Sequence, residues 1–187
     1  GVVAEIGDCV HACDVSGEIG AFDLTYTQSN NLRGNWLYAE TDGVLTDFSM
    51  NFGLESSCDI GFFVYSSDTN FSDSGGGSVD LDDLTLEWSN MVTAGSGEGM
   101  VNSDDIGIDI VAGNWYSLMA GWDCEAETGL ADSGETTWAL GTTEGRMADN
   151  SYGGYDGFDH TFEYPYYYET YHQVVNTEVE CETDIAW

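Results

Sequence analysis

From residue 116 to residue 124 the chain reads Tyr116-Ser117-Leu118-Met119-Ala120-Gly121-Trp122-Asp123-Cys124. Tyr116, Leu118, Ala120, Trp122 and Cys124 occupy every second position. A period of two sets them on one face of an extended strand, whereas a helix would scatter them around its axis. The same period recurs on both sides of this stretch. Upstream it links Phe22, Leu24 and Tyr26; Phe48, Met50 and Phe52; Cys58, Ile60, Phe62 and Val64; Leu84, Leu86 and Trp88; and Ile106, Ile108 and Ile110. Downstream it gives a short row, Trp138 and Leu140, then Tyr164, Tyr166 and Tyr168, and a last extended stretch through Val174 and Val179.

Turn-rich segments separate these rows. Thr41, Asp42 and Gly43 are expected to form a hairpin turn, because Asp-Gly suits the left-handed positions such a turn needs. Ser72 to Ser78, Gly95 to Gly99 and Gly153 to Gly157 read as loops. With 24 Gly, one Pro and no Lys, helix signals are nearly absent. Roughly nine or ten strands broken in this way predict an all-β, antiparallel β-sandwich. Jelly roll is the preferred topology and an immunoglobulin-like sandwich the second. The length fits one domain, residues 1–187. Residues 1–17 form an N-terminal segment that docks either in cis or on a neighbouring subunit.

The chain carries 35 Asp and Glu against two cationic residues, Arg33 and Arg146, for a formal net charge of −33. A nucleic-acid binder needs clustered cations to displace condensed counterions, and none cluster here. Attachment to anionic lipid by basic residues is excluded for the same reason. A disordered acidic tail is also excluded, because 42% of the residues are apolar and 13% aromatic, enough for a core. Spread over roughly 9,000 Å² of surface, the excess anions stand about 16 Å apart. They interact in dilute buffer and hardly at all at 1 M salt, where the Debye length is about 3 Å. The charge therefore predicts a high-salt, halophilic setting, or bound cations with Ca²⁺ as the natural choice. No run of 18 apolar residues occurs, so no membrane-spanning helix is expected. A start at Gly1 without a signal-peptide pattern reads as a mature or trimmed product.

The five cysteines, Cys9, Cys13, Cys58, Cys124 and Cys181, contain no Cys-x-x-Cys motif, and disulfides outside the cell are their simplest use. Cys58 shares a face with Ile60 and Phe62, and Cys124 with Leu118 and Trp122, which predicts a Cys58–Cys124 bond in the core. Cys181 then takes either Cys9 or Cys13. Cys13 is the partner adopted, and one thiol is left free or intermolecular. Cys9, His11 and Cys13 also alternate on one face, but a soft-metal site would need a fourth ligand from His160, His172 or Cys181. The disulfide is the simpler reading.

The stretch Phe62-Phe63-Val64-Tyr65-Ser66-Ser67, followed by Gly99-Met100-Val101-Asn102-Ser103 and by Val111-Ala112-Gly113-Asn114-Trp115-Tyr116 leading into Trp122, resembles a β-sandwich module of secreted bacterial surface proteins. The resemblance spans residues 62 to 122. It implies a secreted, jelly-roll-like fold and carries no catalytic residues across. In overall character the chain also resembles subunits of extracellular cannula-type filaments, which implies Ca²⁺-rich jelly rolls linked by donated strands.

Candidate ligating residues lie in loops. Asp68, Asn70 and Asp73 alternate oxygen side chains, without the glycine and distal glutamate of an EF-hand. Asp80, Asp82 and Asp83 follow the glycine loop; Asp104, Asp105 and Asp109 surround Gly107; Asp156 and Asp159 flank Gly157. Adjacent carboxylates repel unless a hard cation sits between them, so these clusters are the expected Ca²⁺ ligands. Glu178, Glu180 and Glu182, and likewise Asp123, Glu125 and Glu127, share strand faces, but such spacings arise by chance among so many acids. No catalytic residues are assigned, and no organic cofactor is expected. Tyr164, Tyr166 and Tyr168 read as core, and Tyr167 and Tyr171 as exposed contacts, with carbohydrate as a possible ligand. Val2, Val3, Ile6, Ile185 and Trp187 make both termini apolar and are the expected assembly residues. The favoured function is a secreted, non-enzymatic, cation-stabilised subunit of an extracellular filament or surface layer, a homo-oligomer or polymer built by strand donation. The alternative is a Ca²⁺-dependent, lectin-like carbohydrate-binding module.

Overall fold

The computed structural model describes residues 11–20, 24–71, 78–80, 83–132, 137–149, 161–166 and 169–181. Among them no α-helix occurs, and the strands pair antiparallel throughout. In chain order the strands are β1 (His11–Ile19), β2 (Leu24–Ala39), β3 (Gly43–Leu54), β4 (Cys58–Ser67), β5 (Ser78–Asp80), β6 (Thr85–Ala94) and β7 (Gly97–Asn102). They continue as β8 (Ile108–Ile110), β9 (Trp115–Asp132), β10 (Thr137–Trp138), β11 (Gly141–Asp149), β12 (Thr161–Tyr166), β13 (Glu169–Tyr171) and β14 (Gln173–Cys181).

The stretch that opens the sequence argument lies in β9, which is the spine. One edge of β9 pairs with β2 from Trp115 to Gly129. Its other edge is taken in turn by β4 at Trp115–Trp122, by β3 at Ala126–Thr128 and by β13 at Leu130–Asp132. β3 is shared in the same way. One of its edges holds β14 and then β9; the other holds β8 and then β7. Because two long strands each change partner along their length, the sheet curls on itself into a barrel-like form. The main path runs β1-β14-β3-β9-β2-β11-β12-β5.

The predicted rows fill the interior. Phe48, Met50, Phe52, Ile60, Phe62, Val64, Leu118, Ala120 and Trp122 are fully buried in one cluster. Phe48 meets Phe62 edge-on at 5.3 Å, and Phe52 meets Trp122 at 5.1 Å. Each such side chain contributes roughly 1.5–3 kcal/mol by leaving water. A second cluster occupies the reverse face, where Leu32, Trp36, Phe63, Tyr65, Met119 and Met147 are covered by Phe71, Val79 and Leu84 from the segment after β4. β2, β4 and β9 are therefore apolar on both faces. β2 and β9 approach closely at Gly34, where a Cβ would collide with the Leu118 carbonyl oxygen.

Both expected disulfides are formed, Cys58–Cys124 and Cys13–Cys181. Disulfides are the chemistry of an oxidising compartment. Among the described residues no helix is long and apolar enough to cross a membrane.

Three local expectations are corrected. Thr41-Asp42-Gly43 is not a hairpin turn: β2 pairs with β9 and β11, and β3 with other strands. The turn instead carries the chain across the molecule, with the Glu40 and Thr41 N–H groups donating to the Leu140 carbonyl and Asp42 Oδ1 accepting from the Ala112 N–H. Gly95 to Gly99 is not a single loop. Only Gly95 and Ser96 lie between strands, and Gly97 (φ 126°) opens β7. Among the described residues the strands number fourteen; β1, β5, β7, β11 and β13 coincide with none of the nine apolar rows of the sequence.

Candidate functional site

Two acidic grooves and one open seam stand out on the described surface. One large groove, about 820 Å³, lies where β1, β14, β3 and β8 run side by side. Register places Asp14 opposite Glu178, Glu178 opposite Val44, and Val44 opposite Asp109. Residues directly opposite share a face, so this row carries three carboxylates. Asp42 and Glu180 extend the acidic rim, while Ala12, Ile110 and Val179 supply an apolar floor. Like charges directly opposite across strands are destabilising. Glu178→Gln is accordingly expected to raise stability by about 0.5 kcal/mol in dilute buffer and by nothing measurable at 1 M salt, where the Debye length is ~3 Å. Urea titrations at the two ionic strengths check this.

The second groove, about 410 Å³, is rimmed by Glu55, Glu98, Glu125 and Glu127. Gly53 stands between Glu98 on β7 and Glu127 on β9, so no side chain separates the two glutamates in the row.

The predicted ligands are more dispersed. Asp68 is exposed, and its Oδ1 accepts from the Thr69 hydroxyl at 3.1 Å; Asn70 is half-buried and Asp83 exposed. Asp104 has φ 64° and donates its N–H to Asn102 Oδ1 at 2.8 Å, a local turn. Asp105 is exposed, and Asp109 stands apart in the large groove. The Ile106 and Gly107 N–H groups donate to the Thr46 and Leu45 carbonyls, which holds this stretch extended along β3 and keeps Asp104 and Asp109 apart. Asp80 lies on β5. Asp73, Asp82, Asp156, Asp159 and Tyr167 lie outside the described residues, as do Val2, Val3, Ile6, Ile185 and Trp187. Among the described residues no three His, Cys, Asp or Glu side chains converge on one point.

Tyr171 is corrected from exposed contact to buried core. It is 2% exposed, and its backbone is held by Asn35, whose Nδ2 donates to the Tyr171 carbonyl and whose Oδ1 accepts the Tyr171 N–H. Asn35 Nδ2 also donates to Gln173 Oε1, and Gln173 Nε2 donates to the Leu118 carbonyl. Next to it, His172 Nε2 lies 2.9 Å from Glu18 Oε1. His172 is thus engaged with a carboxylate, and Cys13 and Cys181 are consumed by their disulfide. Burial pushes the Tyr65 phenol above its ordinary value.

The seam lies between β6 and β7. These strands are joined by only Gly95 and Ser96, yet β6 pairs with β4 and β7 with β3, and they do not pair with each other. Among the described residues the outer edge of each lacks a strand partner. Between them runs a groove of about 440 Å³ floored by Phe52 and Leu54, walled by Val92, Ala94 and Val101, and lined also by Glu98 and Asp104. Asn90 Nδ2 bridges its far end to the Ser103 carbonyl at 3.1 Å. Four large apolar residues of the described surface are exposed; Leu86 and Met91 lie on β6, and Met100 lies on β7 and lines the groove. Sequence reasoning passed over this feature. Nothing local marks it in the sequence, since the acid-free stretch Trp88–Gly97 is shorter than the acid-free stretch Leu24–Ala39.

The sequence matches no protein-family model, and no curated protein resembles it at a significant level.

Proposed function

We propose that the chain is a secreted, non-enzymatic structural subunit of an extracellular filament or surface layer, folded as a jelly-roll-like sandwich, assembled by strand donation and stabilised by cations. The observation that carries this reading is the ten-residue edge of β6, with Leu86 51% and Met91 43% exposed. Monomeric β-proteins blunt such edges with charge, proline or a covering loop; β6 carries one acid, Glu87, and is otherwise an uncharged template for another chain. An all-carboxylate surface keeps copies apart in dilute buffer, so assembly needs screening or a bridging cation. The two acidic grooves supply the hard oxygen donors that Ca²⁺ prefers. The lectin-like alternative has less support, since Tyr171 is buried and the walls of the large groove are aliphatic and acidic.

Light scattering through a series of NaCl and Ca²⁺ concentrations, then EDTA, tests the reading. Scattering should rise with salt or Ca²⁺ and fall when both are withdrawn. A chain that stays monomeric in every condition contradicts it, and an assembly indifferent to chelation and salt removes the cation from it.

A further inference from the structure

We infer that Met91 and Met100 are oxidation sites, and that a peroxide converting them to sulfoxides stops the β6 and β7 edges from taking another chain. This rests on the structural-subunit reading above and names a control on its contact surface. The chain has five methionines. Met50 lies in the main cluster, and Met119 and Met147 lie in the reverse-face cluster, all three fully buried. Met91 is 43% exposed and Met100 37% exposed. Methionine oxidation follows access to the sulfur, so the five divide into two reactive and three protected side chains. Local structure accounts for the two. Met91 is on the outward face of β6, and the next two residues in its cross-strand row are Gly61 on β4 and Gly121 on β9, which carry no side chain to cover it. Met100 stands on the outward face of β7 between Glu98 and Asn102, and lines the seam.

The two positions matter because both strands have an outer edge without a strand partner among the described residues. Leu86 and Met91 lie opposite Tyr65 and Gly61, so they share one face of β6. A strand added along β6 places side chains of its own beside them, and one added along β7 does the same beside Met100. The thioether is an apolar, adaptable surface for such a contact. In the oxidation the sulfur gives an electron pair to one peroxide oxygen. The S–O bond forms, the O–O bond breaks and water leaves, so sulfur is oxidised by two electrons and the peroxide is reduced. The new oxygen is a hydrogen-bond acceptor, and an arriving chain must strip water from it. The control acts on the separate subunit. Once a neighbour covers the edge, the same sulfurs are shielded, so assembly and oxidation oppose each other.

The test uses the full chain carrying Cys9→Ser, which removes the cysteine outside the two disulfides. It is treated with dilute hydrogen peroxide in low salt with EDTA. Peptide masses should show one added oxygen on Met91 and on Met100, at least about tenfold faster than on Met50, Met119 or Met147. Comparable rates at all of them overturn the site assignment. The melting temperature should not move, since neither sulfur belongs to a buried cluster. A fall places the effect in the fold and overturns the control. In assembling salt the oxidised chain should need about tenfold more protein to scatter than the untreated one; equal thresholds overturn the control. Met91→Leu with Met100→Leu keeps the surface apolar and should assemble alike before and after peroxide. A variant that loses assembly to peroxide as the unsubstituted chain does overturns the assignment to these sulfurs. An untreated chain that never assembles sinks the structural-subunit reading and the control with it, while the peptide masses still decide the two oxidation sites.

Discussion

Replacing Cys58 and Cys124 together by alanine is expected to lower stability by about 4 kcal/mol on the chain-entropy estimate for a closed loop of this length. The sequence separation is 66 residues. The bond joins the start of β4 to β9 directly beyond the register pair Ile60–Trp122, beside the Phe52–Trp122 contact. A domain is typically stable by about 5–15 kcal/mol, so this one bond carries a large share. Guanidinium unfolding at high ionic strength measures the loss as a shift in midpoint. Cys13–Cys181 closes a longer loop, 168 residues, but its effect should be of a different kind. β1 is held to the sheet through β14, so breaking that bond releases an outer strand before it touches the core. Amide exchange confined to β1 is the expected signature of the second double variant, against a global loss for the first.

Asn35→Leu should cost about 4 kcal/mol, the sum of several buried polar groups stripped of partners at ~1–3 kcal/mol each. Asn35 is fully buried, and its amide makes three hydrogen bonds, two to the Tyr171 backbone and one to Gln173. It sits where the chain leaves the edge of β9 as β13 and joins the edge of β3 as β14. His172 bridges the same crossing, its N–H donating to the Gly129 carbonyl and its own carbonyl accepting from the Asn51 N–H. Leucine fills a similar volume but satisfies none of these groups. Thermal unfolding gives the size of the loss, and fast exchange of the Tyr171 amide locates it at the crossing.

That crossing also marks where the sequence stops being legible. The rows through Phe48, Ile60 and Leu118 announced their strands because one face of each is apolar and the neighbours on the chain are polar or small. The same rows placed Cys58 and Cys124 close enough to bond. β2 was harder to read, because Leu32 and Trp36 belong to the reverse-face cluster while Asn35 is a buried polar residue between them. A strand buried on both faces loses its alternation. Tyr171 looked exposed for the same reason: its burial depends on Asn35, 136 residues away. The acidic row of the large groove is likewise a product of register, since Asp14, Asp109 and Glu178 come from three distant strands. The loop carboxylates chosen from local spacing could not anticipate it. The open edge of β6 has no local signature, because an edge is defined by which strands fail to arrive.

The charge of −33 acquires a more specific meaning from this arrangement. Along β6 it is sparse, with Glu87 the one acid among Thr85–Ala94, so that edge carries little like charge of its own. Salt or a divalent cation then acts as the condition for assembly, and the seam determines where it occurs.

Hydrogen exchange on the wild-type chain, compared between low salt with EDTA and high salt with Ca²⁺, tests this most directly. The account predicts that the amides of Thr85–Ala94 and Gly97–Asn102 become protected as the particle mass rises. Assembly that leaves those amides exchanging as in the monomer, or protects another edge in their place, would contradict it.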